Sequence, residues 1–261
     1  MGALGFAVDY AGYYLSAQNK YDIHSPFVFN LTTKVINKEC RSHLFDEIEG
    51  LRERLKNNSA IISFTDYGAG GYAQRNKTIR ICDIVKSAVK QPRYSRLLYR
   101  LVEFFEPKSI LELGTSLGLS SLYMAKANTS AQVTTLEGSD EVADLAIQNF
   151  EQLKATNITI LKGPFENTLA KVVNESKQLD FVFFDGNHQK RSTLDYFETC
   201  LPKKHNNSVF IFDDINWSTE MKEAWAIIKN HPDVFITVDL FMMGLVFFNP
   251  DFTKQHFRIR F

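Results

Sequence analysis

The sequence predicts an α/β fold: a mostly parallel sheet of seven strands whose last strand runs antiparallel, preceded by an N-terminal helical extension. Three observations predict it. From residue 109 onward, short apolar runs alternate with helix-compatible segments, the pattern of parallel strands joined by crossover helices. The first of these runs, SILEL, breaks on Gly114 and Gly118 and passes at once into LSSLYMAKA, a strand–glycine turn–helix unit. Near the end, residues 234–240 and 244–249 are two apolar runs with a short connection through Met242 and Met243, read as two further strands.

The first hundred residues do not follow this alternation. Tyr10, Tyr13, Tyr14 and Leu15 have helical spacing. Ser25 is a good N-cap and Pro26 a good first helical residue, so a helix is expected from there to about Glu39. His24, just outside it, is either a substrate contact or a local hydrogen-bonding partner. His43–Lys56 reads as a charged helix with Gly50 as its weak point, stopped by Asn57-Asn58-Ser59. Asp66–Gly71 matches a DxGxG pattern after the apolar run 60–64, but the polar and basic residues 72–80 cannot form a buried crossover helix. This stretch is expected to be a glycine loop, either mobile over a site or a plain surface turn. Helices are expected over 79–90 and 93–105. On the second, Arg93, Arg96 and Arg100 share one face, read as solvated, with anion binding as the sharper alternative.

The strands expected beyond this point are 109–113, 132–136, 158–162, 180–185, 208–213, 234–240 and 244–249. The helices are expected at about 118–127, 140–154, 164–175, 189–200 and 217–230. In the tail HFRIRF, Phe257, Ile259 and Phe261 alternate with Arg258 and Arg260, which suits an added edge strand.

Composition narrows the function. Thirty Lys+Arg against thirty Asp+Glu give no net charge, which removes the strong electrostatic attraction that non-specific nucleic-acid binders use. Cys40, Cys82 and Cys200 are far apart and read as reduced thiols, not as a disulfide framework or zinc site. No apolar run approaches the ~18 residues of a membrane span. The N-terminus carries Asp9 and no basic leader segment, so it is not read as a signal peptide. A soluble cytoplasmic protein is expected, with no membrane partner and nucleic acid disfavoured.

The chemistry-bearing residues fall at strand ends. Glu112 sits at the C-terminal end of the first parallel strand, where open α/β sheets bind ligands. A carboxylate only accepts hydrogen bonds, so an acid two residues before Gly114 suits a ligand with an amine. Glu137 ends the next strand, VTTLE, where an acid can accept from both hydroxyls of a ribose. Ser120 opens the first crossover helix and could donate to a carboxylate, reinforced by the helix N-terminus. Asp185 ends FVFFD, and Asp213 and Asp214 end VFIFDD. Such carboxylates on one sheet rim repel one another unless a cation or protons neutralise them. Oxygen ligands suit Mg²⁺ or Ca²⁺. His188, in DGNHQK, can accept a proton at neutral pH.

The run Glu112-x-Gly114-x-x-x-Gly118 resembles motif I of the class I S-adenosylmethionine (SAM)-dependent methyltransferases, above all the small-molecule O-methyltransferases related to catechol O-methyltransferase. IHSPFVFN, DYGAGG and FDDINWS together resemble a class I methyltransferase group from Bacteroidetes-type bacteria. The resemblance implies a Rossmann-like class I methyltransferase sheet over residues 107–261 behind an extension or lid at 1–106. It implies a cofactor set of Glu112, Gly114, Thr115, Ser116, Gly118, Ser120, Glu137, Gly138, Gly163, Phe165 and Asp185, with a serine at position 120 holding the methionine carboxylate. It implies Asp185, Asp213 and Asp214 as metal ligands. Catechol-type enzymes read Asp … Asp-Asn at these places, and relatives acting on sugars and macrolides read Asp-Asp as here. Those enzymes place a lysine general base where this chain has His188, so His188 and Asp185 become the expected catalytic pair. Phe165 depart with Pro164 from the catechol-type pattern. Tyr13, Tyr14, Phe27 and Phe29 are expected to supply an acceptor pocket.

The expected function is methyl transfer from SAM to a small-molecule oxygen nucleophile with a divalent cation assisting, and a homodimer is compatible with it. The alternatives are an NAD-dependent oxidoreductase, which would share Glu137 but wants GxGxxG, an RNA methyltransferase, and a non-catalytic SAM-binding protein.

Overall fold

The computed structural model describes residues 3–39, 43–66 and 75–261. Helices α1 (Ala3–Ser16), α2 (Pro26–Leu31) and α3 (His43–Lys56) open the chain, followed by strands β1 (Ile61–Asp66) and β2 (Arg75–Arg80) and helices α4 (Ile81–Ser87) and α5 (Pro92–Phe105). Strand and helix then alternate through β3 (Ser109–Leu113), α6 (Leu119–Ala127), β4 (Gln132–Glu137), α7 (Asp140–Gln152), β5 (Ile158–Lys162) and α8 (Phe165–Glu175). The alternation continues with β6 (Phe181–Phe184), α9 (Lys190–Cys200), β7 (Val209–Asp213) and α10 (Thr219–Asn230), and the chain closes on β8 (Ile236–Asp239), β9 (Met243–Phe247) and β10 (Gln255–Arg258).

Eight strands form one sheet in the order β10-β8-β9-β7-β6-β3-β4-β5, and β1 pairs antiparallel with β2 in a small sheet of its own. β9 runs against its neighbours, β7 on one side and β8 on the other. The mostly parallel α/β sheet is therefore the one expected, with one strand more than seven because the tail supplies β10, parallel to β8. Phe257 and Ile259 are buried while Arg258 and Arg260 are exposed, as the alternation requires.

The chain divides into two compact units, Glu39–Glu175 and Met1–Lys38 with Ser176–Phe261. In the first, α3 is amphipathic. Its Phe45, Ile48, Leu51 and Leu55 pack with Ile81, Ile84 and Val85 of α4, Leu122 and Tyr123 of α6, and Ala146 and Phe150 of α7. The arginine face of α5 is not solvated as expected. Arg93 is exposed, but Arg100 is only 7% exposed and the Arg96 guanidinium lies 5.4 Å from the Phe45 ring centre. The helix packs along most of its circumference, and the long arginine stems pack with it. The glycine loop expected at Asp66–Gly71 falls, beyond Asp66, outside the described residues.

In the second unit, β6 and β7 are buried on both faces, and the rings of Phe184 and Phe212 stack 4.4 Å apart. The N-terminal segment packs here too. Tyr13 is 4% exposed and its hydroxyl donates to the Ile259 carbonyl, Phe6 and Tyr10 meet Phe241 edge-on, and Asp9 pairs with Lys222. Phe27 of α2 packs against Phe247 and Phe252.

Ser25 caps α2 as its sequence position predicts, accepting from the Val28 N–H at 3.4 Å, with Pro26 at the first helical position. The helix does not continue regularly to Glu39. It widens into a π turn over Thr32–Ile36, where Thr32 and Thr33 hydroxyls donate back to the carbonyls of Val28 and Phe29, both at 2.8 Å. Such back-bonding distorts helices. Because the cap bond is long, Ser25→Ala should lower stability by about 0.5–1 kcal/mol in urea unfolding, and an unchanged midpoint would remove the cap from the account.

Candidate active site

The glycine turn after β3 is built from inside. Glu112 has no exposed surface. Its Oε2 accepts from the hydroxyl of Ser121 on α6 and, at 2.7 Å, from Thr135 on β4. Thr135 in turn meets the Thr115 hydroxyl at 2.7 Å. One buried carboxylate thus ties β3, β4, α6 and the turn together. Glu112, expected to meet a ligand amine, is wholly buried and braces the turn through these hydroxyls. Sequence reasoning missed Ser121 and Thr135. The signal was a hydroxyl in each of two otherwise core-facing segments, LSSL and VTTLE.

The backbone of the turn is left-handed at Gly114 (φ 104°), Ser116 (φ 49°) and Gly118 (φ 80°). The N–H groups of Gly114 and Thr115 both donate to the Leu136 carbonyl, at 3.0 and 3.1 Å, which sets the turn against the end of β4. Gly118 is needed for a second reason. A Cβ there would stand 2.3 Å from Cε1 of Phe150. Ser120 is the second residue of α6 and 7% exposed.

Glu137 is the last residue of β4. Its two carboxylate oxygens accept from the backbone N–H groups of Ser116 (2.8 Å) and Ser139 (3.0 Å). Burial raises its carboxyl pKa above the ordinary carboxylate range, opposed by these N–H donors. Gly138 follows directly, and the Gly163 N–H donates to the Glu137 carbonyl at 2.8 Å, bringing the turn before Phe165 to the same strand end. Turn, acid and Gly163 thus meet at the end of β4.

The acidic residues of the second unit assemble separately. Phe184 of β6 is in register with Phe212 of β7, so Asp185 and Asp213 leave the pair side by side. His188 Nε2 lies 3.7 Å from Asp185 Oδ1 and 3.8 Å from Asp214 Oδ2. The expected trio Asp185, Asp213 and Asp214 is not the set that closes most tightly. Among the described residues, ligand atoms of Asp185, His188 and Asp213 lie within 4.8 Å of one another. Asp214 adopts φ 54°, a left-handed conformation that turns it out of the strand direction, and it joins the group through His188. Of the residues expected to line an acceptor pocket, Tyr13 and Phe27 are committed to packing, whereas Tyr14 and Phe29 are 45% and 42% exposed, and His24 is exposed.

A strand–glycine turn–helix, an acid at the next strand end and a mostly parallel sheet with one antiparallel strand near its edge make a Rossmann-like α/β fold. Comparison with known proteins agrees. Residues 111–215 match the family model of a methyltransferase domain. The chain is 28% identical over 127 residues to the catechol O-methyltransferase of Niastella koreensis, a match covering 48% of this chain and 57% of that one, so a little over half of the relative's length is spanned. Two solved structures share the fold. The O-methyltransferase of Bacillus cereus, in complex with SAH, superposes with a TM-score of 0.56 at 20% identity, covering 85% of this chain and 97% of its own. The SAH-bound methyltransferase PaMTH1 of Podospora anserina gives a TM-score of 0.59 at 16% identity, covering 82% and 91%. Over these stretches the chain is similar to a methyltransferase domain and to a catechol O-methyltransferase. Among the described residues no helix is long and apolar enough to cross a membrane.

Proposed function

We propose that this chain transfers a methyl group from SAM to a hydroxyl oxygen of a small molecule, with a divalent cation held at the Asp185–His188–Asp213 cluster. The observation that carries the cofactor is the Glu137 carboxylate, anchored by two N–H donors and beside the glycine turn. A carboxylate has about four acceptor sites, more than the backbone donors take, so it can also accept from a ribose hydroxyl. When bound, SAM would supply a methyl carbon on a sulfonium sulfur: the acceptor oxygen, its proton given up to a base, bonds to that carbon in line as the C–S bond breaks with its electron pair on sulfur, leaving S-adenosylhomocysteine (SAH).

The residues then take separate tasks. Gly114, Thr115, Ser116 and Gly118 present backbone to the ligand, and Glu112 holds them in place. Ser120, at the helix N-terminus, donates to the methionine carboxylate. Gly138, Gly163 and Phe165 border the adenine. Asp185 and His188 are the residues that meet the acceptor, with Asp213 and Asp214 behind them. The donor set fits a divalent cation, because its ligand atoms are already gathered within 4.8 Å. A cation held by Asp185, His188 and Asp213 would orient the acceptor hydroxyl and lower its pKa. Alignment of donor and acceptor can supply roughly 7–11 kcal/mol of the barrier, so placement is the main work of the site. On the acceptor side we assign a wall to α1 and Trp217. The Phe6 and Trp217 ring centres are 6.4 Å apart, and Trp217 is 57% exposed.

The name of the Niastella relative makes a catechol the first acceptor to try. The chain, incubated with methyl-labelled SAM and a panel of catechols and other hydroxylated small molecules, should pass label to an acceptor oxygen and release SAH. Failure to bind either SAM or SAH by calorimetry would end the proposal. NADH binding in their place would favour an oxidoreductase, and transfer only to RNA would favour an RNA methyltransferase. SAM binding without transfer to any acceptor would leave a binding protein.

A further inference from the structure

We infer that His188 is a metal ligand rather than a free base, and that the Asp185–His188–Asp213 set selects a first-row transition ion such as Co²⁺, Fe²⁺ or Zn²⁺ over Mg²⁺ and Ca²⁺. The inference rests on the reading that this cluster holds a divalent cation.

The geometry points to it in three ways. His188 Nε2 stands 3.7 Å from Asp185 Oδ1 and 3.8 Å from Asp214 Oδ2, equidistant from two carboxylates and bonded to neither. A hydrogen bond there would measure about 2.7–3.2 Å. Two ligands each about 2.1 Å from a shared ion stand roughly 3–4 Å apart; the His188–Asp185 pair has this spacing, and the Asp213 ligand atom lies within 4.8 Å of both. Second, the set is largely withdrawn from water: Asp213 is 1% exposed, and the Asp185 side chain is 12% exposed. Carboxylates brought together away from water repel one another, and a bound cation is one way to relieve this. The position of the ring supports a ligand. It reaches the cluster from the loop after β6, three residues beyond Asp185, and Asn187 before it takes φ 51°. The Asn187 side chain donates to Ser192 Oγ at 2.9 Å and Tyr196 Oη at 3.3 Å on α9, which fixes the loop that carries the ring.

The chemical consequence follows from donor type. Mg²⁺ and Ca²⁺ prefer oxygen from carboxylates, carbonyls and water. Imidazole nitrogen suits transition ions. Exchanging an oxygen ligand for His188 therefore moves the preference of the site away from Mg²⁺. With its lone pair on the ion, Nε2 no longer accepts a proton, and Asp214, 22% exposed in its side chain and next to His188, becomes the proton acceptor nearest the cluster.

The test uses the full chain with Co²⁺, Mg²⁺ and Ca²⁺ added singly. Co²⁺ should bind at least about 10-fold more tightly than Mg²⁺ by calorimetry. The cobalt-loaded protein should show a hyperfine-shifted, exchangeable imidazole N–H resonance in its proton NMR spectrum. His188→Gln should weaken Co²⁺ binding by about 10-fold or more while leaving Mg²⁺ binding within a few-fold. The ring is 30% exposed, so this substitution is compatible with folding. Equal Co²⁺ and Mg²⁺ affinities, no shifted imidazole resonance, or unchanged Co²⁺ binding in His188→Gln would each overturn the inference and return His188 to the role of base. No binding of any of the three ions would instead overturn the cation-site reading beneath it, and so would binding unaltered by Asp213→Ala.

Discussion

Replacing Glu137 with alanine should weaken SAH binding by about 100-fold. The carboxylate is proposed to accept from a ribose hydroxyl, and a hydrogen bond to a charged group contributes about 1.5–3 kcal/mol. The upper end of that range, about 3 kcal/mol, corresponds to two decades in affinity. The variant also frees the N–H groups of Ser116 and Ser139, which loosens the turn and adds to the loss. Calorimetry with SAH, with circular dichroism to check the fold, decides it. An affinity within threefold of the parent would take the ribose away from Glu137.

Protonation of Glu137 gives the same site a pH signature. Burial holds its folded carboxyl pKa above the unfolded value. The folded state then binds this proton more readily than the unfolded chain does, so the slope of unfolding free energy with pH is negative for this group. Its ionisation costs stability progressively as pH rises from the ordinary carboxylate range through the raised folded pKa, and the cost persists above it. Cofactor binding runs the other way, since the ionised form is the better acceptor and affinity should fall on acidification. Glu137→Gln should flatten both dependences. A pH profile of SAH affinity that is identical in parent and variant would separate Glu137 from the effect.

Gly118→Ala should destabilise the fold by about 3 kcal/mol. Two costs add. A non-glycine residue in the left-handed region costs roughly 1–2 kcal/mol, and the backbone at Gly118 has φ 80°. The new methyl would stand 2.3 and 2.8 Å from Cε1 and Cζ of Phe150 and 3.3 Å from Cβ of Ala146, and overpacking of this kind typically costs about 1–3 kcal/mol. Phe150 belongs to the apolar cluster between α6 and α7, so the ring cannot swing away freely. Urea unfolding of Gly118→Ala, Phe150→Leu and the double variant separates the terms. In the double variant the steric part is relieved and the dihedral part stays, so the two losses should add to less than their sum. Strict additivity would show that the close approach of Phe150 does not govern this position.

The alternating strands and helices were legible because a parallel strand covered on both faces is a near-continuous apolar run, and its crossover helix carries a different period. β3, β5 and β7 end close to where their apolar runs end; Glu137, Asp185 and Asp213 fall where a run stops, and Glu112 one residue before. Less legible were features set by partners distant in sequence. The β1–β2 pair joins an apolar strand to RNKTIR, a segment with no strand-like alternation of its own. The burial of Arg100 depends on which neighbours meet α5, and no spacing of arginines reveals that. The π turn after α2 arises from threonine hydroxyls bonding to carbonyls one turn earlier, a local competition that favourable capping signals conceal.

Within the candidate site the same division holds. The sequence by itself determined the class of fold, the glycine turn and which acids stand at strand ends, because turn chemistry and hydrophobic period act over a few residues. Contacts across the sheet set the rest: the hydroxyls that bond Glu112, the left-handed backbone of Asp214, and the gathering of His188 with Asp185 and Asp213. Those outcomes depend on side chains brought together across parallel strands and on dihedral angles at single residues, and neither leaves a periodic trace in the chain.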